Sequence, residues 1–184
     1  MSNYIAVEVP ALYPYVLLLA GGLTAQCLIF GFVAGGKRST LFSKEFMDQF
    51  ADQHQHELQQ EIKSGGYPDM GNGIYSMALS YKNWMEFQLD QRQHKNFLEV
   101  LTMLVFCTLV CGLVFPQLTI ALASIHFVGR FLYTIGYRIS PKARMIGAPL
   151  VMLSMMAFLV TALVATYKMS EFVFSSKTLF SIDL

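Results

Sequence analysis

Four apolar runs dominate this chain, at about residues 14–34, 97–115, 117–137 and 145–167. Each is long enough to cross a hydrocarbon core of about 30 Å as a helix. In lipid every backbone amide must be satisfied within its own segment, so such runs fold as helices or as closed barrels. Nothing in them alternates with a period of two, and the expectation is an all-α integral membrane four-helix bundle. Only 14% of the residues are charged, and 54% are apolar. The formal net charge of +1 excludes a nucleic-acid partner, whose binding relies on a basic surface.

The expected organisation is one domain over 1–184, with multi-pass spans at about 14–34, 84–115, 117–137 and 141–167. A polar loop at 35–83 and a tail at 168–184 complete it. Pro14 suits the first turn of the first span, and Pro116 marks a tight turn between the second and third. The segment Asn83-Trp84-Met85-Glu86 has the pattern of a helix cap for the second span, and Ser140-Pro141 that of a cap for the fourth. Residues 44–63 suggest an amphipathic helix, and 64–73, broken by Pro68, a loop. Gly31 and Gly35 form a weak small-xxx-small pair. The first ten residues carry Glu8 and no basic residue, unlike a cleavable signal or transit peptide.

Cys27, Cys107 and Cys111 all lie in apolar runs, which implies free thiols used as packing residues. Cys107 and Cys111 have no His or acidic neighbour, and His54-Gln55-His56-Glu57 reads as a solvated face, so no metal site is expected. Of the thirteen Lys and Arg, ten fall within 37–95 or 138–144. The positive-inside rule puts both of those segments on the cytoplasmic or equivalent side.

Charge at membrane depth is costly and marks candidate function. Arg92, Asn96 and Glu99 stand at i, i+4 and i+7, on one helical stripe entering the second span. A cation, an amide and a carboxylate in a row suit a zwitterion, the Arg taking a carboxylate and the Glu an ammonium. The competing explanation is a snorkelling Arg92 and a Glu99 paired with Lys95. Arg130, Tyr133 and Tyr137 form a second stripe closing the third span. An aromatic belt with basic anchors would have the same composition. Arg144 falls in the first turn expected for the fourth span, where the helix dipole already favours an anion.

Together these motifs resemble the MAPEG family, the membrane-associated proteins of eicosanoid and glutathione metabolism. The family's second helix carries R-x-x-x-N-x-x-E, here Arg92, Asn96 and Glu99. Its third ends in R-x-x-Y-x-x-G-Y, here Arg130, Tyr133, Gly136 and Tyr137. Asn96-Phe97-Leu98-Glu99-Val100 is most similar to the microsomal glutathione transferase branch. Residues 133–150 are also similar to leukotriene-forming members.

The resemblance implies a homotrimer with glutathione, as co-substrate, bound between neighbouring subunits. Arg92, Asn96, Glu99, Tyr133 and Tyr137 match glutathione-holding positions, with Arg130 a further basic position nearby. Arg144 matches the arginine credited with stabilising the thiolate. Lys37 and Arg38 sit where leukotriene-forming members carry a basic pair. The implied activity is a glutathione-dependent transferase or peroxidase acting on lipophilic electrophiles or lipid hydroperoxides, in the endoplasmic reticulum or a mitochondrial membrane.

The chain departs from the family pattern in three ways, of which the long loop and tail support an alternative: a catalytically silent accessory subunit of a larger membrane assembly, such as a respiratory complex. The first loop is long, the tail extends past the expected end, and Val100 replaces the tyrosine of leukotriene-forming members. A lipid-binding helper is a third possibility, against which Arg144 counts.

Overall fold

The computed structural model describes residues 9–140 and 142–180, with side chains through 172. Its long helices are α1 (Tyr13–Leu41), α5 (Tyr81–Val114), α6 (Pro116–Ile139) and α7 (Ala148–Phe180). Three short helices, α2 (Lys44–Asp48), α3 (Ala51–Leu58) and α4 (Ile74–Met77), lie between α1 and α5, and a 3-10 turn (Ala143–Ile146) precedes α7. All four long helices are apolar and long enough to cross a membrane. The protein is an all-α integral membrane bundle. Its contacts divide into two compact units, residues 27–99 and residues 1–26 with 100–184. Helices α1 and α5 each contribute to both.

In the unit of residues 27–99, α1 continues past the expected end of its apolar run to Leu41. Two basic side chains in that extension find partners. Lys37 lies 3.4 Å from Glu86 and 3.1 Å from Asp90. Arg38 donates to the carbonyls of Gly65, Gly66 and Asp69 at 2.5–3.0 Å. The polar loop is therefore tied down. It has its own apolar core of Phe42, Met47, Tyr75 and Phe87. Phe42 meets Phe87 edge-on at 5.3 Å, and Phe50 meets Tyr75 at 5.0 Å, the favoured geometry for aromatic pairs. Gly66 is obligatory: it has φ +60°, and a Cβ there would stand 2.5 Å from the Phe42 ring.

The buried Asp69 organises the following turn. Its carboxylate accepts from the amides of Gly71, Gly73 and Ser76 and from the Ser76 hydroxyl, all at 2.7–2.9 Å. Burial pushes its pKa up, but these hydrogen bonds outweigh burial and hold it below the ordinary carboxylate value.

Several local expectations need correction. The amphipathic helix expected over 44–63 is two short helices, because Ser43 caps α2 and the chain turns at Gln49 and Phe50 to bury Met47. The cap of α5 is Ser80, whose Oγ accepts from the Asn83 amide at 3.3 Å, so the helix starts before Asn83. Gly31 admits the His94 imidazole of α5, and a Cβ would lie 2.8 Å from its Cε1. Among the described residues nothing lies within 4 Å of a Cβ built on Gly35, so within this chain only Gly31 of the pair receives a packing partner. Pro141 and residues 1–8 lie outside the described residues.

In the other unit, Phe115 alone links α5 to α6, with Pro116 in the first turn of α6. Lys168 of α7 sits 5.0 Å over the Phe115 ring. Gln26 of α1 is buried and donates to the Phe127 carbonyl of α6 at 3.0 Å. Cys107 and Cys111 of this unit, like Cys27 of the other, are buried and form no disulfide.

Candidate functional site

The stripe on α5 faces outward. Phe97 and Phe87 are fully buried, and Asp90, Gln91 and Gln93 share their burial. A helix that buries those positions turns Arg92 and Glu99 to the surface, with Asn96 half-buried. Lys95 donates to the Met70 carbonyl at 3.1 Å and forms no ion pair with Glu99. Among the described residues, the side chains of Arg92 and Glu99 have no hydrogen bond or ion pair. Two opposite charges thus project from α5 where the helix becomes apolar.

The second stripe, in the other unit, is a ladder of rings and guanidinium groups. Arg130 is 2% exposed and lies 5.9 Å over the Tyr133 ring. The Tyr133 and Tyr137 rings are 5.4 Å apart. Arg144 sits 5.4 Å over the Tyr137 ring, and its Nη1 donates to the Tyr137 hydroxyl at 3.0 Å. That hydroxyl oxygen accepts, so its own proton remains free to donate. The structure thus brings Arg130, Tyr133, Tyr137 and Arg144 together.

Arg144 arrives there by a different route from the one expected. It belongs to the 3-10 turn and not to the first turn of α7, which begins at Ala148. Arg144 therefore lies outside the first helical turn, where a helix dipole would favour an anion. Ser140 is the C-cap of α6, and its Oγ accepts from the Ala143 amide at 3.1 Å at the start of the 3-10 turn. Two glycines let this turn lie against α6. A Cβ on Gly136 would stand 2.3 Å from the Ala143 carbonyl oxygen, and one on Gly147 2.2 Å from the Tyr133 nitrogen. The backbone approach sets the reach of Arg144 to Tyr137.

Two residues of this unit escaped the sequence reasoning. His126 is fully buried, with Nδ1 2.9 Å from Ser154 Oγ and Nε2 accepting from Arg130 Nε at 3.3 Å. Their only signal was a polar letter within each apolar run. Conversely, in the other unit Lys37 joins α1 to Glu86 and Asp90 of α5, and Arg38 ties the loop.

A family model described as MAPEG family matches residues 12–164. The chain belongs to the MAPEG family. No curated protein and no solved structure matches it. MAPEG members generally use glutathione and are commonly trimeric membrane proteins. The match takes in both stripes, the 3-10 turn and the long loop, and stops short of the end of α7.

Proposed function

We propose that this MAPEG protein is a membrane glutathione transferase or peroxidase acting on lipophilic electrophiles or lipid hydroperoxides. The observation that carries this reading is the hydrogen bond from Arg144 to the Tyr137 hydroxyl. It puts a guanidinium and a free phenolic proton at one point, a donor pair suited to a thiolate. The remaining residues fit the tripeptide by charge. Arg92 and Arg130 suit its two carboxylates, Glu99 its ammonium, and Asn96 and Tyr133 its amide groups. A homotrimer suits this reading, because a charge projecting from an apolar helix is tolerated in a bilayer where another copy covers it. The site is then completed where copies meet.

Glutathione supplies the nucleophilic sulfur. An ordinary cysteine thiol has a pKa of about 8.5, so little of it is thiolate at neutral pH. Arg144 and the Tyr137 proton favour the ionised form by charge and hydrogen bonding. Attack on a carbon electrophile forms a C–S bond and expels the leaving group with its electron pair. Attack on a hydroperoxide breaks the O–O bond, releases the alcohol and leaves a sulfenic acid. A second glutathione converts that to the disulfide and water. The chain's own contribution is positioning and charge.

The test is conjugation of a chlorodinitrobenzene probe by purified protein in nanodiscs. Arg144→Ala should lower kcat by about 10²-fold with less than about threefold change in glutathione affinity. Unchanged turnover would remove Arg144 from the mechanism.

A second reading, an accessory subunit of a larger membrane assembly, has an observation of its own. The loop domain exposes Leu58, Tyr67, Ile74, Met77 and Tyr81, each more than half accessible. Clefts of about 210 and 380 Å³ lie beside Ile74 and Tyr75. Exposed apolar residues of this kind suit a protein partner. Purification in mild detergent separates the readings: a free active trimer favours the enzyme, and an inactive chain that elutes only with other subunits favours the alternative.

A further inference from the structure

We infer that His126 is a positioning residue for Arg130, holding its guanidinium for an anionic group of the thiol substrate without neutralising it. The inference deepens the glutathione reading and rests on it. Arg130 is a cation at membrane depth on α6, 2% exposed. Such a group is costly unless its N–H donors are met by acceptors. One acceptor is His126 Nε2, one helical turn away on the same helix, at 3.3 Å from Arg130 Nε.

The proton arrangement follows from the chemistry of the partners. A guanidinium can only donate, so Nε2 must accept and the ring proton resides on Nδ1. Nδ1 then donates to Ser154 Oγ of α7 at 2.9 Å. The Ser154 hydroxyl passes its own proton to the Leu150 carbonyl at 2.6 Å. The chain of donors runs one way, from Arg130 through His126 and Ser154 to a backbone oxygen. Gly129 brings α6 close to α7 at this level: a Cβ there would lie 2.9 Å from Leu150 Cβ.

The identity of the acceptor is the telling feature. A carboxylate in place of His126 would also orient Arg130, and it would cancel the charge. A neutral imidazole fixes the Nε edge and adds no negative charge of its own. An arrangement meant only to bury an arginine would gain more from the carboxylate. A site that must attract an anion gains more from the imidazole.

The test measures the dissociation constant of glutathione for the full chain in nanodiscs, by calorimetry, together with KM and kcat. Arg130→Ala and His126→Leu should each weaken glutathione binding about tenfold. His126→Gln, whose amide oxygen can accept at the Nε2 position, should stay within about twofold of the native protein. Should His126→Leu not fold, Ser154→Ala decides, with about threefold weaker binding expected and unchanged binding overturning the inference. Native affinity in His126→Leu, with Arg130→Ala weakened, would overturn the role of His126 and leave the glutathione reading intact. No binding by the native protein would overturn both.

Discussion

Gly136→Ala tests how Arg144 is placed, because two effects of opposite sign compete. In an exposed helix interior the change is favourable by up to about 1 kcal/mol. Here the added Cβ would stand 2.3 Å from the Ala143 oxygen and 2.7 Å from its carbon. Ordinary carbon–oxygen contact is about 3.3–3.6 Å, so the 3-10 turn must withdraw by about 1 Å. Both groups met are backbone, and neither can rotate away. Overpacking of this kind costs about 1–3 kcal/mol. The clash wins, with net destabilisation of about 1–2 kcal/mol. For a chain of this size that lowers the apparent melting temperature by about 2–8 °C. The same withdrawal stretches the 3.0 Å bond from Arg144 to Tyr137 beyond hydrogen-bonding range. Misplacement by about 1 Å at a reacting group can cost about 10²-fold. Nanodisc melting and stopped-flow conjugation of chlorodinitrobenzene give the two readouts. A variant that melts higher than the native protein would refute the close approach. One that melts lower yet turns over normally would refute the role of Arg144.

Other outcomes are expected from the same contacts. Glu99→Gln should weaken glutathione binding about tenfold in calorimetry, since it removes the carboxylate assigned to the ammonium; unaltered affinity would leave that exposed charge without this role. Arg38→Ala should release the carbonyls of Gly65, Gly66 and Asp69 and open residues 60–80 to limited proteolysis, with the α6–α7 contacts untouched; equal resistance would show that the apolar core suffices. Asp69 has a depressed pKa in the folded protein. Its stabilisation is complete above the unfolded value of about 3.9 and is lost as pH falls through the lower folded value. The protection of the Gly71, Gly73 and Ser76 amides, relative to their intrinsic exchange rate at each pH, should therefore be high at neutral pH and fall only below about pH 4. Asp69→Asn should show fast exchange already at pH 7, and slow exchange there would exclude the carboxylate as the organiser.

The number of long apolar helices was legible in the sequence. So were the two polar stripes. Both rest on local properties: the length of an apolar run, and the fact that i, i+4 and i+7 share a helical face whatever surrounds the helix. The structure alone decided what each charge touches. Arg144 looked like the opening of a helix, yet Gly136 and Gly147 fold it into a 3-10 turn against α6, where it meets Tyr137. Arg38 looked like part of a basic pair and instead ties a folded loop. His126 and Ser154 were single polar letters 28 positions apart until helix packing set them 2.9 Å from each other. Such partnerships depend on how closely two backbones approach and on which donor finds which acceptor. Those are properties of packed pairs of segments, and the periodicity of one segment carries no record of them.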